Sequence, residues 1–418
     1  MRRWMMVLSV GAIGAVLLGG WSINWLRVPP RLQAVPEGMT TRAGFPGIPG
    51  ARYWVGIDIE PFVKDVLAAR EREKKYLAST GHEGEMPQVD LLAVSGGGDK
   101  GAFGAGLLAG WTESGKRPVF KAVTGISTGA LIAPFAFAGK EYDIVLRNVY
   151  TSLGPEDVAS KRSILAAITN DAMADNRPLW DQISRYVDNH FLEVIKQEHE
   201  KGRILLVGTT DLDARQPVMW NMGAIAASGA PGALDLFRSI LLASAAIPGA
   251  FPPSMVKVEV DGKPYEEMHV DGGASAQVFL YPPRMRGVAA SMGETIDRKG
   301  DVYIIRNSFL RPTWDPVERR TINIAGPAIG SLIHTQGFGD LYRIYATTQR
   351  DQLSFNLAYI DSDFTAPHTR DFDTIFMKEL FEYGFRQGKE GYDWKHTPPG
   401  FDVGSEPVPA SPQGVPAG

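Results

Sequence analysis

The sequence predicts an α/β fold, three layers in the order α/β/α around a mainly parallel central sheet. Two observations predict it. Apolar strand-like runs alternate with helix-like runs from about residue 90 onward, the pattern of helices crossing over both faces of a sheet. Glycine-rich turns also sit where strand-like runs pass into helix-like ones, at 95–101 and 125–129. Length and composition fit: 418 residues, 44% hydrophobic and 22% charged, suffice for a sizeable globular core.

Taken in order, residues 28–53 are rich in Pro and Gly and read as a linker or an arm lying on the domain. Asp58 to Lys75 is helix-like, with the charged stretch from Arg70 as a solvated face. Asp90 to Ser95 reads as a strand, Ala102 to Trp111 as a helix, Phe120 to Thr124 as a strand and Ala130 to Ala138 as a helix. Helices are expected at Asp143 to Leu153 and Pro178 to Glu198. Ile204 to Thr210 reads as a strand with Pro217 to Asn221 as its partner, and Ala233 to Ala246 as a helix ending before Pro248. Val256 to Val260 and Tyr265 to Val270, joined by a turn beginning Asp261-Gly262, form a predicted hairpin that delivers Asp271 at a strand end. Val302 to Asn307 is a further buried strand, and Ile322 to Asp351 and Asp373 to Arg386 are long helices. The Pro-rich run from Pro398 to Gly418 reads as a disordered tail. The expected organisation is therefore an N-terminal segment (1–27), an arm (28–56), one catalytic-type domain (57–397, motif core 90–280) and a tail (398–418).

Four glycine-rich pieces carry the chemistry: Ser95-Gly96-Gly97-Gly98-Asp99-Lys100-Gly101, Gly125-Ile126-Ser127-Thr128-Gly129, the segment Ala243 to Pro253, and Asp271-Gly272-Gly273. With 46 glycines in the chain, one Gly-x-Ser-x-Gly alone is a weak signal. Its setting strengthens it, because a serine between a strand and a helix is forced onto a sharp turn with its hydroxyl exposed. Three glycines between a strand and a helix supply unencumbered N–H groups; the spacing excludes a P-loop and fits a dinucleotide fingerprint poorly. Together the pieces read as a serine hydrolase acting on acyl esters.

In these residues the chain resembles the patatin-like phospholipases, acyl hydrolases with a Ser–Asp dyad and no catalytic histidine. The resemblance covers about 90–279 and implies a patatin-like fold. It makes Ser127 the nucleophile, Asp271 the catalytic aspartate, and Gly96, Gly97, Gly98 and Asp99 the oxyanion loop. Lys100 stands where an arginine is usual, and Gly101, Gly125, Gly129, Gly272 and Gly273 support the motifs. Ala243 to Pro253 matches the family's Ala-Ser-x-x-x-Pro-x-x-Phe-Pro-Pro segment. After Asp-Gly-Gly the family often continues with Val and then Asn-x-Pro, whereas this chain runs Ala274 to Phe279, which bears on the shape of the substrate pocket. The implied substrate is a lipid or other acyl ester, with no cofactor and no metal.

In such a dyad Asp271 takes the Ser127 proton during attack, directly or through one water, and burial is expected to raise its basicity. Backbone N–H groups of the glycine loop and the start of the following helix meet the developing oxyanion. A Ser-His-Asp triad is the rival. Of seven histidines, only His334 and His368 follow Asp271 closely enough, and His269 precedes it by two residues; none stands in a motif. Asp211 and Asp213 resemble a metal pair but cluster with no other ligand in sequence, so a turn role is favoured. Phe103, Leu107, Leu131, Phe135 and Phe137 are candidates for an acyl pocket or plain core. A non-catalytic lipid-binding or envelope scaffold protein and an acyltransferase using the same dyad are the alternative functions.

A net charge of −4 suggests no nucleic-acid partner, and the absence of cysteine excludes disulfides, thiolate metal sites and a cysteine nucleophile. Trp4 to Leu26 carries no charged residue, with Arg2 and Arg3 before it and Arg27 after it. This length suits a membrane-spanning anchor, and a cleaved signal peptide is the competing reading. Either implies a membrane-associated or exported protein with the membrane surface as a partner.

Overall fold

The computed structural model describes residues 31–401 apart from 83, 162–171, 173, 312–315 and 320. The expected membrane segment, 1–27, and most of the expected tail, 402–418, lie outside the described residues.

In chain order the strands are β1 (Arg52–Tyr53), β2 (Val89–Val94), β3 (Ala122–Ile126), β4 (Ser160–Lys161), β5 (Ala174–Asp175), β6 (Ile204–Asp211), β7 (Gln216–Asn221), β8 (Ser254–Val260), β9 (Lys263–Asp271), β10 (Gly300–Phe309) and β11 (Ser354–Ile360). The helices are α1 (Glu60–Ser79), α2 (Gly101–Glu113), α3 (Thr128–Ala138), α4 (Asp143–Ser152), α5 (Pro155–Val158), α6 (Arg177–Tyr186), α7 (Asn189–Glu200), α8 (Met222–Ala227), α9 (Ala233–Ser244), α10 (Met285–Ser291), α11 (Thr321–Asp351) and α12 (Thr374–Glu390). The main sheet runs β1-β7-β6-β3-β2-β10-β11, parallel from β6 to β11 and antiparallel at β7 and β1, with β9 pairing to β6 and β8.

Every residue of β6 is buried, as expected of a strand covered on both faces. Alternation along β2 sends Leu92 and Val94 into the core under α2 and α12, and Leu91 and Ala93 into a second core under α11. Helices α1 and α10 close the same second face nearer β6 and β7. This is the expected three-layer α/β/α fold. The most buried helix, α2, is rich in small residues because α12 crosses it at backbone contact. A Cβ on Gly106 would lie 2.1 Å from the Phe381 carbonyl oxygen.

Three features differ from the sequence expectation, and of the two readings of the N-terminal stretch, linker or arm, the packing fits the arm. The single helix over Pro178 to Glu198 is two, because Asp188 caps α7 by accepting the Phe191 N–H at 2.8 Å. Strand β11 follows α11 after only two residues; the polar Ser354 and Asn356 masked its apolar face. The stretch 31–56 packs as an arm: Ala43, Ile48, Ala51 and Trp54 enter the main core, and buried Arg52 pairs with buried Glu267, Nη2 to Oε1 at 2.9 Å. The tail begins later than Pro398, since Phe401 packs on Tyr345 with ring centres 4.7 Å apart.

Candidate active site

Register along β6 brings the two key motifs together. Strand β3 pairs with the first part of β6, ending at Ile126 opposite Gly208, while β7 occupies the other edge throughout. Strand β9 enters on the edge β3 has vacated, with Asp271 opposite Thr209. The residue after Ile126 is Ser127, so Ser127 and Asp271 face each other where one strand stops and the other begins. Gly272 completes the seam: a Cβ there would lie 2.5 Å from the Gly208 carbonyl oxygen.

Ser127 occupies the turn between β3 and α3 with φ 57° and ψ −127°, a strained conformation for a residue with a side chain. The turn is tight because α3 starts directly over β2; a Cβ on Gly129 would meet the Val94 carbonyl oxygen at 2.2 Å. Ser244, from the Ala243 to Pro253 segment, holds the turn from below. Its hydroxyl accepts the Ser127 N–H at 3.1 Å and donates to the Gly208 carbonyl at 2.7 Å.

Asp271 is 4% exposed. Its Oδ1 accepts the Gly273 N–H at 2.7 Å, while Oδ2 is buried with no hydrogen bond of regular geometry. Burial pushes the carboxyl up to about 7, against the Ser127 hydroxyl and Gly273 N–H, which favour the charged form.

The glycine loop lies beside this pair: a Cβ on Gly96 would be 3.1 Å from the Ser127 Cβ. The expectation for Gly96 is revised, since its N–H donates to the Gln277 carbonyl at 3.0 Å. The N–H groups of Gly97, Gly98 and Asp99 have no protein acceptor among the described residues. The Asp99 side chain anchors the loop, its Oδ2 accepting the Phe372 N–H at 2.9 Å and contacting His368 Nε2 at 2.6 Å. Lys100 lies 3.8 Å from the same carboxylate, and Gly101 packs under Thr128.

Neither candidate third member of a triad is hydrogen-bonded to Ser127. His368 is committed to Asp99, and His334 lies near Arg306 and the Leu310 carbonyl. His269 is fully buried, its Nδ1 3.0 Å from the Thr209 hydroxyl and its Nε2 3.3 Å from Glu267. Asp211 forms a turn, accepting the N–H groups of Asp213 and Ala214 at 2.8 and 2.9 Å. In space, though not in sequence, Asp211 does gather ligand-type partners, since it lies with Glu267 and His269. The Arg52 guanidinium already sits against Glu267 as counter-charge. Phe103, Leu107, Leu131, Phe135 and Phe137 belong to or pack against the main core. The apolar space beside the dyad is instead a cavity of about 180 Å³ lined by Ile126, Gly208, Gly272, Phe279 and Ile344 among others.

Residues that sequence reasoning passed over are Ser244, visible within its motif but without a role, the Asp99 side chain, Gln277 and Asn307. Asn307 at the end of β10 fixes the glycine loop, with Nδ2 donating to the Ser95 carbonyl at 2.9 Å and Oδ1 accepting the Gly104 N–H at 3.0 Å.

A serine on a tight strand-to-helix turn of an α/β scaffold is an arrangement that serine hydrolases use. Residues 92–282 match the family model of the patatin-like phospholipases, a family of lipid acyl hydrolases. No curated protein matches the sequence. Among solved structures, VipD from Legionella pneumophila is similar at 11% identity and a TM-score of 0.32, over 73% of this chain and 67% of that one. Among the described residues no helix is long and apolar enough to cross a membrane.

Proposed function

We propose that this chain is a serine acyl hydrolase that cleaves carboxylic ester bonds of lipids through an acyl-enzyme on Ser127, with Asp271 as base. One observation carries the reading: a strained serine directly follows Ile126, which pairs with Gly208, and a buried, proton-hungry carboxylate pairs with the next residue of β6, Thr209. Asp271 removes the Ser127 proton as Oγ attacks the ester carbonyl. The free N–H groups of Gly97, Gly98 and Asp99 and the start of α3 receive the oxyanion. Asp271 then protonates the departing alkoxide. Water, deprotonated by the same carboxylate, releases the acid and restores Ser127. The apolar cavity at Ile126 and Gly272 has the lining for the acyl chain. Burial supports the base role: a carboxyl titrating about 7 accepts a proton far better than a free aspartate, yet stays half ionised at neutral pH.

The residue 1–27 segment belongs to the same proposal as an anchor or export signal that brings the domain to lipid. Sequencing the N-terminus of protein recovered from membrane and soluble fractions tests it; an intact N-terminus confined to the soluble fraction overturns it. The chemistry is tested with the full chain in detergent, beside Ser127→Ala and Asp271→Asn, on a nitrophenyl butyrate and on phosphatidylcholine. Loss of at least about a thousandfold in kcat/KM in both variants, with folding retained, is expected. Variants that match the wild type overturn the dyad.

A further inference from the structure

Arg306 is the anomaly of this structure. It lies on β10, is 5% exposed, and its side chain makes no ion pair or hydrogen bond with the described residues. Its Nη1 is buried with no hydrogen-bond partner among them. A buried guanidinium ordinarily has a carboxylate with it, because removal from water is costly. The nearest acid, Asp340, is directed elsewhere: Oδ2 accepts the Gln277 N–H at 2.6 Å and Oδ1 faces Arg343 at 3.0 Å. The Phe338 ring lies against it, 4.5 Å from the guanidinium carbon. Burial pushes the Arg306 guanidinium down to about 10, with Asp340 acting weakly in the other direction.

This side chain lines a cavity of about 220 Å³ whose wall includes Gly96, Gly97 and Gln277, the residues beside the dyad. Lys100, Arg311 and His334 line the same cavity. Among the described residues Lys100 has only the long 3.8 Å contact to Asp99, and the described lining of the cavity is cationic, with no carboxylate. Asn307 and Ser308 add polar groups. The cavity thus gathers cations and polar donors around one unmatched guanidinium, which is the chemistry that holds a phosphate group.

Resting on the hydrolase reading above, we propose that the Arg306 cavity is the subsite for the phosphate of a phospholipid head group. The ester to be cleaved sits at Ser127 with its acyl chain in the apolar cavity, and the phosphate, a few bonds away along glycerol, crosses the glycine loop to Arg306. The arrangement makes Arg306 a specificity-determining residue: it distinguishes a phospholipid from a neutral lipid with the same acyl chains.

The test compares phosphatidylcholine with diacylglycerol of the same acyl chains in mixed micelles, using the full chain and Arg306→Gln, Arg306→Lys and Arg311→Gln. In Arg306→Gln the ratio of kcat/KM for phospholipid over diacylglycerol is expected to fall about ten- to a hundredfold, chiefly through KM. Arg306→Lys, which keeps charge but loses the fork, should fall between, and Arg311→Gln, at the exposed rim, by less than Arg306→Gln. Because Arg306→Gln removes an unpaired buried charge, its Tm should equal or exceed that of the wild type. Inorganic phosphate should raise the wild-type Tm and leave that of Arg306→Gln unmoved. A ratio that stays constant overturns the head-group assignment; if the phosphate Tm shift still depends on Arg306, the cavity holds free phosphate instead. Equal loss on both lipids with a lowered Tm makes Arg306 structural and also overturns it. If the wild type cleaves neither lipid nor nitrophenyl butyrate, the hydrolase reading fails, and the phosphate Tm shift separately reports whether the anion site exists.

Discussion

Ser127 and Asp271 meet because the strands that carry them share one edge of β6 end to end, Ile126 opposite Gly208 and Asp271 opposite Thr209. Neither residue depends on a mobile loop for its position. Asp271 is fixed in the β9 ladder and donates its N–H to the Ala246 carbonyl at 2.9 Å, while Ser127, one residue past the end of β3, has its N–H held by the Ser244 hydroxyl at 3.1 Å. Strand register and the Ser244 brace together preorganise the pair.

Activity should rise with pH through about 7, because Asp271 must be ionised to act as base and burial holds its carboxyl there. Stability should run the other way. A carboxyl raised in the folded state contributes most below its unfolded value near 4, and that contribution is lost as pH rises from there to about 7. Asp271→Asn should thus be more stable than wild type at pH 8, by up to about 4 kcal/mol, and nearly equal to it at pH 3.5. Denaturant melts at the two pH values check the sign; equal differences at both would sink it.

Ser244→Ala should damage the elbow without touching substrate. It strands the Ser127 N–H and the Gly208 carbonyl, each left unpaired at a cost of about 1–3 kcal/mol. The expected result is a lowered Tm together with a kcat reduced by roughly tenfold or more while KM changes little. Unchanged kcat would show that strand register alone holds Ser127.

His368→Ala and His334→Ala separate dyad from triad. His368 acts on the Asp99 side chain and His334 lies on the far side of the glycine loop, so each loss should reduce nitrophenyl ester turnover by no more than about tenfold. A triad histidine would cost on the order of a thousandfold or more. Steady-state rates of the two variants decide.

Arg52 ties the arm to the domain. It sits against Glu267 and among the Phe45, Trp54 and Trp220 rings, with its guanidinium carbon 5.2, 5.0 and 5.3 Å from their centres. Arg52→Ala leaves Glu267 buried without its cation and should cost about 3–5 kcal/mol. Removal of residues 1–56 should be at least as damaging, whereas removal of 1–27 should leave the melt unchanged. Calorimetry of the three proteins checks this.

Much of the site was legible in the sequence because its chemistry is tied to local backbone demands. A serine between two glycines at a strand-to-helix junction, three glycines before a helix, and an aspartate closing a hairpin strand each announce themselves within a few residues. What stayed hidden lies between distant segments. Arg306 sits in an unremarked apolar run, Ile304-Ile305-Arg306-Asn307, where only the lone charge at a strand end hints at a role. The Asp99 carboxylate was read for its backbone alone. Asp211 joins Glu267 and His269 only because β6 and β9 pair there.

The sequence by itself therefore determined the alternation of strands and helices and the tight turn that carries Ser127, since periodicity and glycine placement are local constraints. Only the tertiary structure decided that β9 takes over the edge of β6 where β3 ends, that Ser244 braces Ser127, that Gly96 has spent its N–H on Gln277, and that Arg306 is buried with no hydrogen-bond or ion-pair partner among the described residues. Those are matters of pairing and desolvation between residues far apart in the chain, and no short stretch of sequence holds both sides of them.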